Sequence, residues 1–197
     1  MVAPTQGSVT INGVPVEKST EEIGMVFQTP ALLPWRTVIR NVILPIEIQG
    51  LDTEKGLEQA KKLLEIAGLK GFENSHPYEL SGGMQQRVSI CRSLIHDPPL
   101  LLMDEPFGAL DAITRDQMNE ELLRIWSITK KTVIFITHNI EEAVFLADYV
   151  IVMSACPAVV IDKVKIDLPR PRASSVKETE PFLKHATHIY SKIGTTK

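Results

Sequence analysis

Four short apolar runs constrain the architecture more than any other feature. Ile23-Gly24-Met25-Val26-Phe27, Leu100-Leu101-Leu102-Met103, Thr132-Val133-Ile134-Phe135-Ile136-Thr137 and Tyr149-Val150-Ile151-Val152-Met153 are nearly unbroken by charge, and longer helical patterns separate them. A strand with one wet face alternates polar and apolar residues. A continuous run suits burial on both faces, as in parallel strands joined by helices. The expected fold is therefore α/β, with a mostly parallel sheet covered on both sides.

The helical patterns fill the gaps between these runs. Glu54 to Ala67 places Leu57, Ala60, Leu63, Leu64 and Ala67 on one face, and Gly68 stops it. Gly82-Gly83 opens a helix through about Ile95, Ala112 to Ile128 is amphipathic, and another helix starts at Ile140. From Pro30 to Pro77 the pattern stays helical, which predicts a helical sub-lobe inserted between strands. At the start, Ser8-Val9-Thr10-Ile11 meets the turn signal Asn12-Gly13 before Val14-Pro15-Val16, a small antiparallel hairpin. Pro169, Pro171 and Ser174-Ser175 read as a linker ahead of a last helix from Glu178 to Tyr190.

Composition narrows the function. A chain of 197 residues, 44% hydrophobic and 23% charged, can bury one sizeable core and is no candidate for disorder. A net charge of -3 argues against nucleic acid as a partner. Cys91 and Cys156 are too few and too far apart for a disulfide framework or a four-ligand zinc site, so two packed thiols in a reducing compartment are expected. No apolar run approaches the roughly 18–20 residues that cross a bilayer, so membrane association is expected to come through a partner.

The chemistry gathers at two places. Asp104 and Glu105 follow the apolar run at 100–103 and point in different directions, because side chains alternate along a strand. One carboxylate can hold Mg²⁺ through water while the other orients or deprotonates an attacking water, as phosphoryl transfer requires. Ser81-Gly82-Gly83, ahead of a helix, offers a hydroxyl, two unobstructed backbone N–H groups and a positive helix end to a phosphate oxygen. A serine N-cap with flexible glycines is the plainer reading of the same residues. No lysine follows a glycine anywhere in the 197 residues, so the phosphate-cradling pattern G-x-x-x-x-G-K-[ST] is absent from them.

These residues resemble one family. Leu80-Ser81-Gly82-Gly83-Met84-Gln85-Gln86-Arg87 resembles the signature motif of ABC-transporter ATPases, and Leu100 to Pro106 resembles their Walker B strand. Gly108-Ala109-Leu110-Asp111 is similar to their D-loop, Gln28 to their Q-loop glutamine and His138 to their switch histidine. The resemblance implies a P-loop-NTPase-like (RecA-like) α/β fold with an inserted helical sub-lobe. Residues 1–29 and 88–168 would form the catalytic-core lobe, 30–87 the sub-lobe with the signature, and 169–197 the linker and C-terminal helix.

The resemblance also implies ATP and Mg²⁺ as cofactors. Glu105, His138 and Gln28 would be catalytic, Asp104 and Gln28 would serve the metal, and Ser81, Gly82, Gly83, Gln85 and Asp111 would contact nucleotide. The implied partners are transmembrane permease subunits, a second copy or an intact ATPase subunit, and indirectly a periplasmic solute-binding protein, at the cytoplasmic face of the membrane. Leu32-Leu33-Pro34-Trp35-Arg36-Thr37-Val38 and Leu168-Pro169-Arg170-Pro171-Arg172 are similar to the ATPases of nitrate, sulfonate and taurine importers. Trp35 is then either a contact for a permease helix or a core residue of the sub-lobe. Ala3 to Val9 resembles a point beyond the family's P-loop, so the expectation is a truncated copy with little ATP turnover of its own. The alternative is a degenerate subunit that lends its signature to an intact one.

Overall fold

The computed structural model describes residues 5–16 and 22–194. The expected hairpin is there: β1 (Thr10–Ile11) pairs antiparallel with β2 (Val14–Pro15). Asn12 and Gly13 turn it with φ of 50° and 81°, conformations that Asn and Gly tolerate.

β3 (Ile23–Val26), β4 (Leu100–Asp104) and β5 (Thr132–Ile136) form a parallel sheet in that order. In register, Val26 lies beside Met103 and Met103 beside Phe135, and Met25, Leu102 and Ile134 make the adjacent row on the opposite face. Gly24, Val26, Leu101 and Met103 are buried. Gly24 is required by that closeness, since a Cβ there would lie 2.4 Å from the Ser93 carbonyl oxygen.

Among the described residues only one face of the sheet is covered, where two were expected. Met25, Phe27, Ile134 and Ile136 are exposed, and β5 is an edge strand among the described residues. β5 is thus half-open rather than the buried strand its composition suggests. The run Tyr149–Met153 (β6) also departs from expectation: it pairs antiparallel with β7 (Val160–Lys165), a strand the sequence reading did not identify. Asp162, Lys163 and Lys165 interrupt β7, so no apolar run advertised it.

The helices behave more nearly as their patterns predict. α1 (Val38–Val42), α2 (Leu44–Ile48) and α3 (Thr53–Ile66) build the sub-lobe. Asp52 caps α3 by accepting the Glu54 and Lys55 N–H groups, and Gly68 leaves it at φ +63°. α4 (Gly82–Leu94), α5 (Ala112–Thr129), α6 (Ile140–Leu146) and α7 (Glu180–Gly194) complete the set. Ile90 and Leu94 of α4 meet Leu122 and Ile125 of α5 above Leu101 and Val133 of the sheet.

Two side chains fasten loops that flank these elements. Buried Asn41 donates to the Leu33, Arg36 and Thr37 carbonyls and accepts the Leu33 N–H, fixing the loop that carries Trp35. Trp35 itself is 74% exposed, which rules out the core role. Arg172, also buried, donates to the Val144, Phe145 and Ala147 carbonyls and so closes the C-terminus of α6. Burial brings its guanidinium down to about 10. The two cysteines part company: Cys91 is buried as expected and Cys156 is exposed, correcting the reading of two packed thiols.

Candidate functional site

β4 delivers Asp104 to solvent at its carboxyl end, and the chain then turns sharply at Glu105, whose φ is +42°. Two backbone bonds hold this conformation, from Glu105 N–H to Ile136 O at 2.9 Å and from Gly108 N–H to Glu105 O at 3.0 Å. A left-handed carboxylate residue costs on the order of 1–3 kcal/mol and persists only where its surroundings enforce it. The strain sits where the chemistry was expected.

The turn brings distant residues together. His138 Nδ1 lies 3.2 Å from Glu105 Oε1. A Cβ on Gly108 would stand 3.0 Å from Gln28 Nε2 and 3.4 Å from Glu105 Oε2, so Gln28, Glu105 and His138 share one corner of the molecule. Glycine at 108 is what lets the Gln28 side chain approach. Phe107, Arg115, Thr137 and Asn139 line the recess beside this corner.

The glycine-rich segment forms a second corner. Ser81 is the N-cap of α4, its Oγ accepting the Met84 N–H at 3.3 Å, and the same hydroxyl keeps a proton to donate. Gly82 is exposed, whereas Gly83 is buried and a Cβ on it would meet Thr114 Cγ2 at 3.1 Å. Gly83 therefore serves the packing of α4 on α5. The Gln85 amide turns inward, donating to the Pro77 and Leu80 carbonyls at 3.0 and 3.2 Å. Asp111 caps α5 by accepting the Thr114 N–H at 3.0 Å and its hydroxyl at 2.6 Å. The Thr114 hydroxyl, and then its N–H, hold the Asp111 carboxyl below its ordinary range.

Arg115 welds the two corners, donating to the Phe107 and Leu110 carbonyls at 3.3 and 2.9 Å across the turn between them. Three more residues matter that the sequence pattern did not single out. Gln86 Nε2 donates to Phe27 O at 3.0 Å, and Arg92 reaches the Pro30 and Ala31 carbonyls at 2.7 and 2.9 Å, so α4 grips the backbone on both sides of Gln28. Glu142 is buried behind His138. Gln86 did carry a signal: it is a polar residue at a core phase of α4, spaced between Gly83 and Ile90. Glu142 carried another, the capping-box spacing from Asn139. Arg92 carried none, because its partners are backbone carbonyls.

The pattern describing the ABC transporter family matches residues 1–108. The chain is 51% identical over 186 residues to the ABC transporter ATP-binding protein MJ0412 of Methanocaldococcus jannaschii, covering 94% of this chain and 70% of that protein. The chain belongs to the ABC transporter family. It is also 42% identical to the taurine import ATP-binding protein TauB of Pseudomonas fluorescens, over 98% of this chain and 75% of the relative. Among solved structures, the ATP-binding cassette MJ0796, a dimer in a post-hydrolysis state bound to ADP and Pi, superposes with a TM-score of 0.65 at 31% identity. That match covers 84% of this chain and 76% of the cassette. CbiO1 of Clostridium perfringens superposes with a TM-score of 0.75 at 22% identity, over 95% of this chain and 78% of that one, and supports the fold alone.

ATP-binding proteins of this family are ATPases coupled to transport. No helix among the described residues is long and apolar enough to cross a membrane. Among the described residues no group of three or more His, Cys, Asp or Glu could hold a metal. Mg²⁺ is commonly held by one or two protein oxygens, with phosphate and water supplying the rest. The Asp104 carboxylate and the Gln28 amide oxygen are hard donors of that kind.

Proposed function

We propose that this chain is the ATP-hydrolysing subunit of an importer for a small sulfonate-like solute, taurine being the solute named for a relative that is 42% identical. The Glu105–His138 pair beside Gln28 carries the reading. Glu105 is the general base that takes a proton from the attacking water, His138 holds its carboxylate in place, and Gln28 stands over the same corner. Bound Mg²⁺, held by Asp104 and Gln28, would supply charge stabilisation to the phosphates. Ser81, with Gly82 and the nearby Asp111, faces outward and serves the nucleotide of a second subunit. Exposed Trp35 presents the sub-lobe to a permease at the inner face of the membrane.

Residues 1–197 contain no Gly-Lys pair, so they supply no phosphate-cradling lysine, and alone they turn over negligible ATP. In a transporter whose ATPase subunit carries these residues together with a phosphate-cradling loop, Glu105→Gln should retain nucleotide and lower ATP turnover by about 10²–10⁴-fold, the usual contribution of a positioned base. Turnover unchanged by Glu105→Gln would overturn its role. Vesicles holding the transporter should take up taurine or short alkylsulfonates, and uptake of neither would overturn the solute class.

A second reading is that the chain donates its signature in trans to an intact ATPase subunit. The completeness of the α4 N-terminus, with Ser81 and Gly82 exposed, favours it. In a mixed dimer, Ser81→Arg would then abolish turnover while Glu105→Gln left it untouched.

A further inference from the structure

The Ala147 N–H closes the hydrogen-bond ladder of α6 on Ala143 O, so the carbonyls of Val144, Phe145, Leu146 and Ala147 have no partner within the helix. One short segment meets all four. Arg172 Nη1 shares its hydrogens among Val144 O at 3.2 Å, Phe145 O at 2.8 Å and Ala147 O at 2.9 Å, and Arg170 Nη2 donates to Leu146 O at 2.6 Å. Nε and Nη2 of Arg172 fold back on Leu168 O at 3.4 and 3.1 Å, which aims the guanidinium at the helix. A glycine just past a helix would close it locally. Here the cap comes from 24 to 28 residues further along, out of Leu168-Pro169-Arg170-Pro171-Arg172.

The same stretch of chain is stapled along α5. Arg170 pairs with Asp148 at 3.0 Å and lays its guanidinium 4.2 Å from the Trp126 ring centroid. Further on, the Ser174 N–H donates to Glu120 Oε1 at 3.0 Å, and Lys177 Nζ meets Asp116 Oδ1 at 2.6 Å. α5 and α6 are the helices whose N-termini carry the candidate site: Asp111 caps α5, and Asn139 caps α6 directly after His138. His138 goes with α6, because on either side of it the Thr137 hydroxyl donates to Glu142 Oε2 and the Asn139 N–H to Thr137 Oγ1. The helix between the histidine loop and the arginines is seven residues long. That is about 10 Å of rigid element, so a shift of the clamped end is carried to the loop.

We propose that residues 168–178 are a strap that holds α6 by its C-terminus to the length of α5, with Arg172 as a positioning residue for His138. Its bearing on turnover rests on the function proposed above, whereas the placement of His138 can be read without it.

In the 197-residue chain, Arg172→Lys keeps a cation at the end of α6 and loses the fork that ties it to Leu168 O. It should move the His138 ring resonances, assigned by their loss in His138→Gln, and leave those of His76, stacked on Tyr78 in the sub-lobe, where they are. Leu64→Ala, a core truncation in α3, should lower the unfolding midpoint without moving the His138 signals. His138 unmoved in folded Arg172→Lys, or moved as far by Leu64→Ala, overturns the positioning role. Should Arg172→Lys fail to fold, Arg170→Lys carries the test, since it loses only the stack on Trp126 and the paired reach to Asp148 and Leu146 O. An unmoved His138 there overturns the proposal as well. In a transporter whose ATPase subunit carries these residues together with a phosphate-cradling loop, Arg172→Lys should leave KM unchanged and lower kcat by up to about 10²-fold, the effect of a displacement on the order of 1 Å. His138 resonances that move while kcat holds would uphold the strap and overturn the role given to His138 above.

Discussion

On one side of the β3–β4–β5 sheet, Val26 and Met103 are wholly buried under α4 and its neighbours. On the other side Met25, Ile134 and Ile136, residues of the same character, stand 48%, 51% and 56% exposed. A continuous apolar strand is written for two layers, and the described residues supply one. The open face is therefore a surface whose composition anticipates a cover, and its edge strand β5 offers unpaired backbone as well. The corner that gathers Glu105, His138 and Gln28 stands at the carboxyl end of this sheet, where the Glu105 N–H donates to Ile136 O of the edge strand.

The largest effects should come from the closed face. Met103→Ala should cost about 2–5 kcal/mol in urea unfolding, the range for deleting a buried long side chain. Gly24→Ala adds a carbon that would sit 2.4 Å from a backbone oxygen and 2.6 Å from Leu101 Cδ2, and overpacking of that kind costs about 1–3 kcal/mol or more. If either change left the unfolding midpoint where it was, the packing of α4 on β3 would be looser than the burial of Val26 and Met103 indicates.

The same experiment sharpens the contrast when moved across the sheet. Met25→Ser and Ile134→Ser should change stability by no more than about 0.5 kcal/mol, as surface substitutions do. Together they should reduce concentration-dependent light scattering, because they break an exposed apolar patch. A cost of 2 kcal/mol or more from Ile134→Ser, a range ordinary for core positions, would mean that this face is covered after all.

What could be read from the sequence follows this division. β3, β4 and β5 were legible because each is an unbroken apolar run, and α3 and α5 because their periods and stops are strong. β7 was not, since Asp162, Lys163 and Lys165 give it the composition of a loop and only its pairing with β6 makes it a strand. The residues of the candidate corner could be picked out as types in order, but not as an arrangement. Nothing in the chain announces that Glu105 turns left-handed, that Gly108 makes room for Gln28, or that the second signature glycine is occupied with packing against Thr114. Arg92 and Glu142 act through backbone and buried contacts that only the fold creates.

The smallest effect expected is also the most direct probe of closure. Cys91 sits on α4 with its thiol directed at the Leu63 carbonyl of α3, 1% exposed, and burial pushes it up to about 12. At pH 7 such a thiol is ionised to only about one part in 10⁵, and the thiolate is the reactive form. Cys156 lies in the exposed turn between β6 and β7. A disulfide-exchange reagent should therefore titrate one thiol per chain at once and the second only as the molecule unfolds. The urea dependence of that second event should track the loss of the α3–α4 layer, and Met103→Ala should advance it, whereas Ile134→Ser should not. Equal rates at both cysteines in the native chain would show that the layer covering the closed face opens freely, and the contrast between the two faces would then be one of degree.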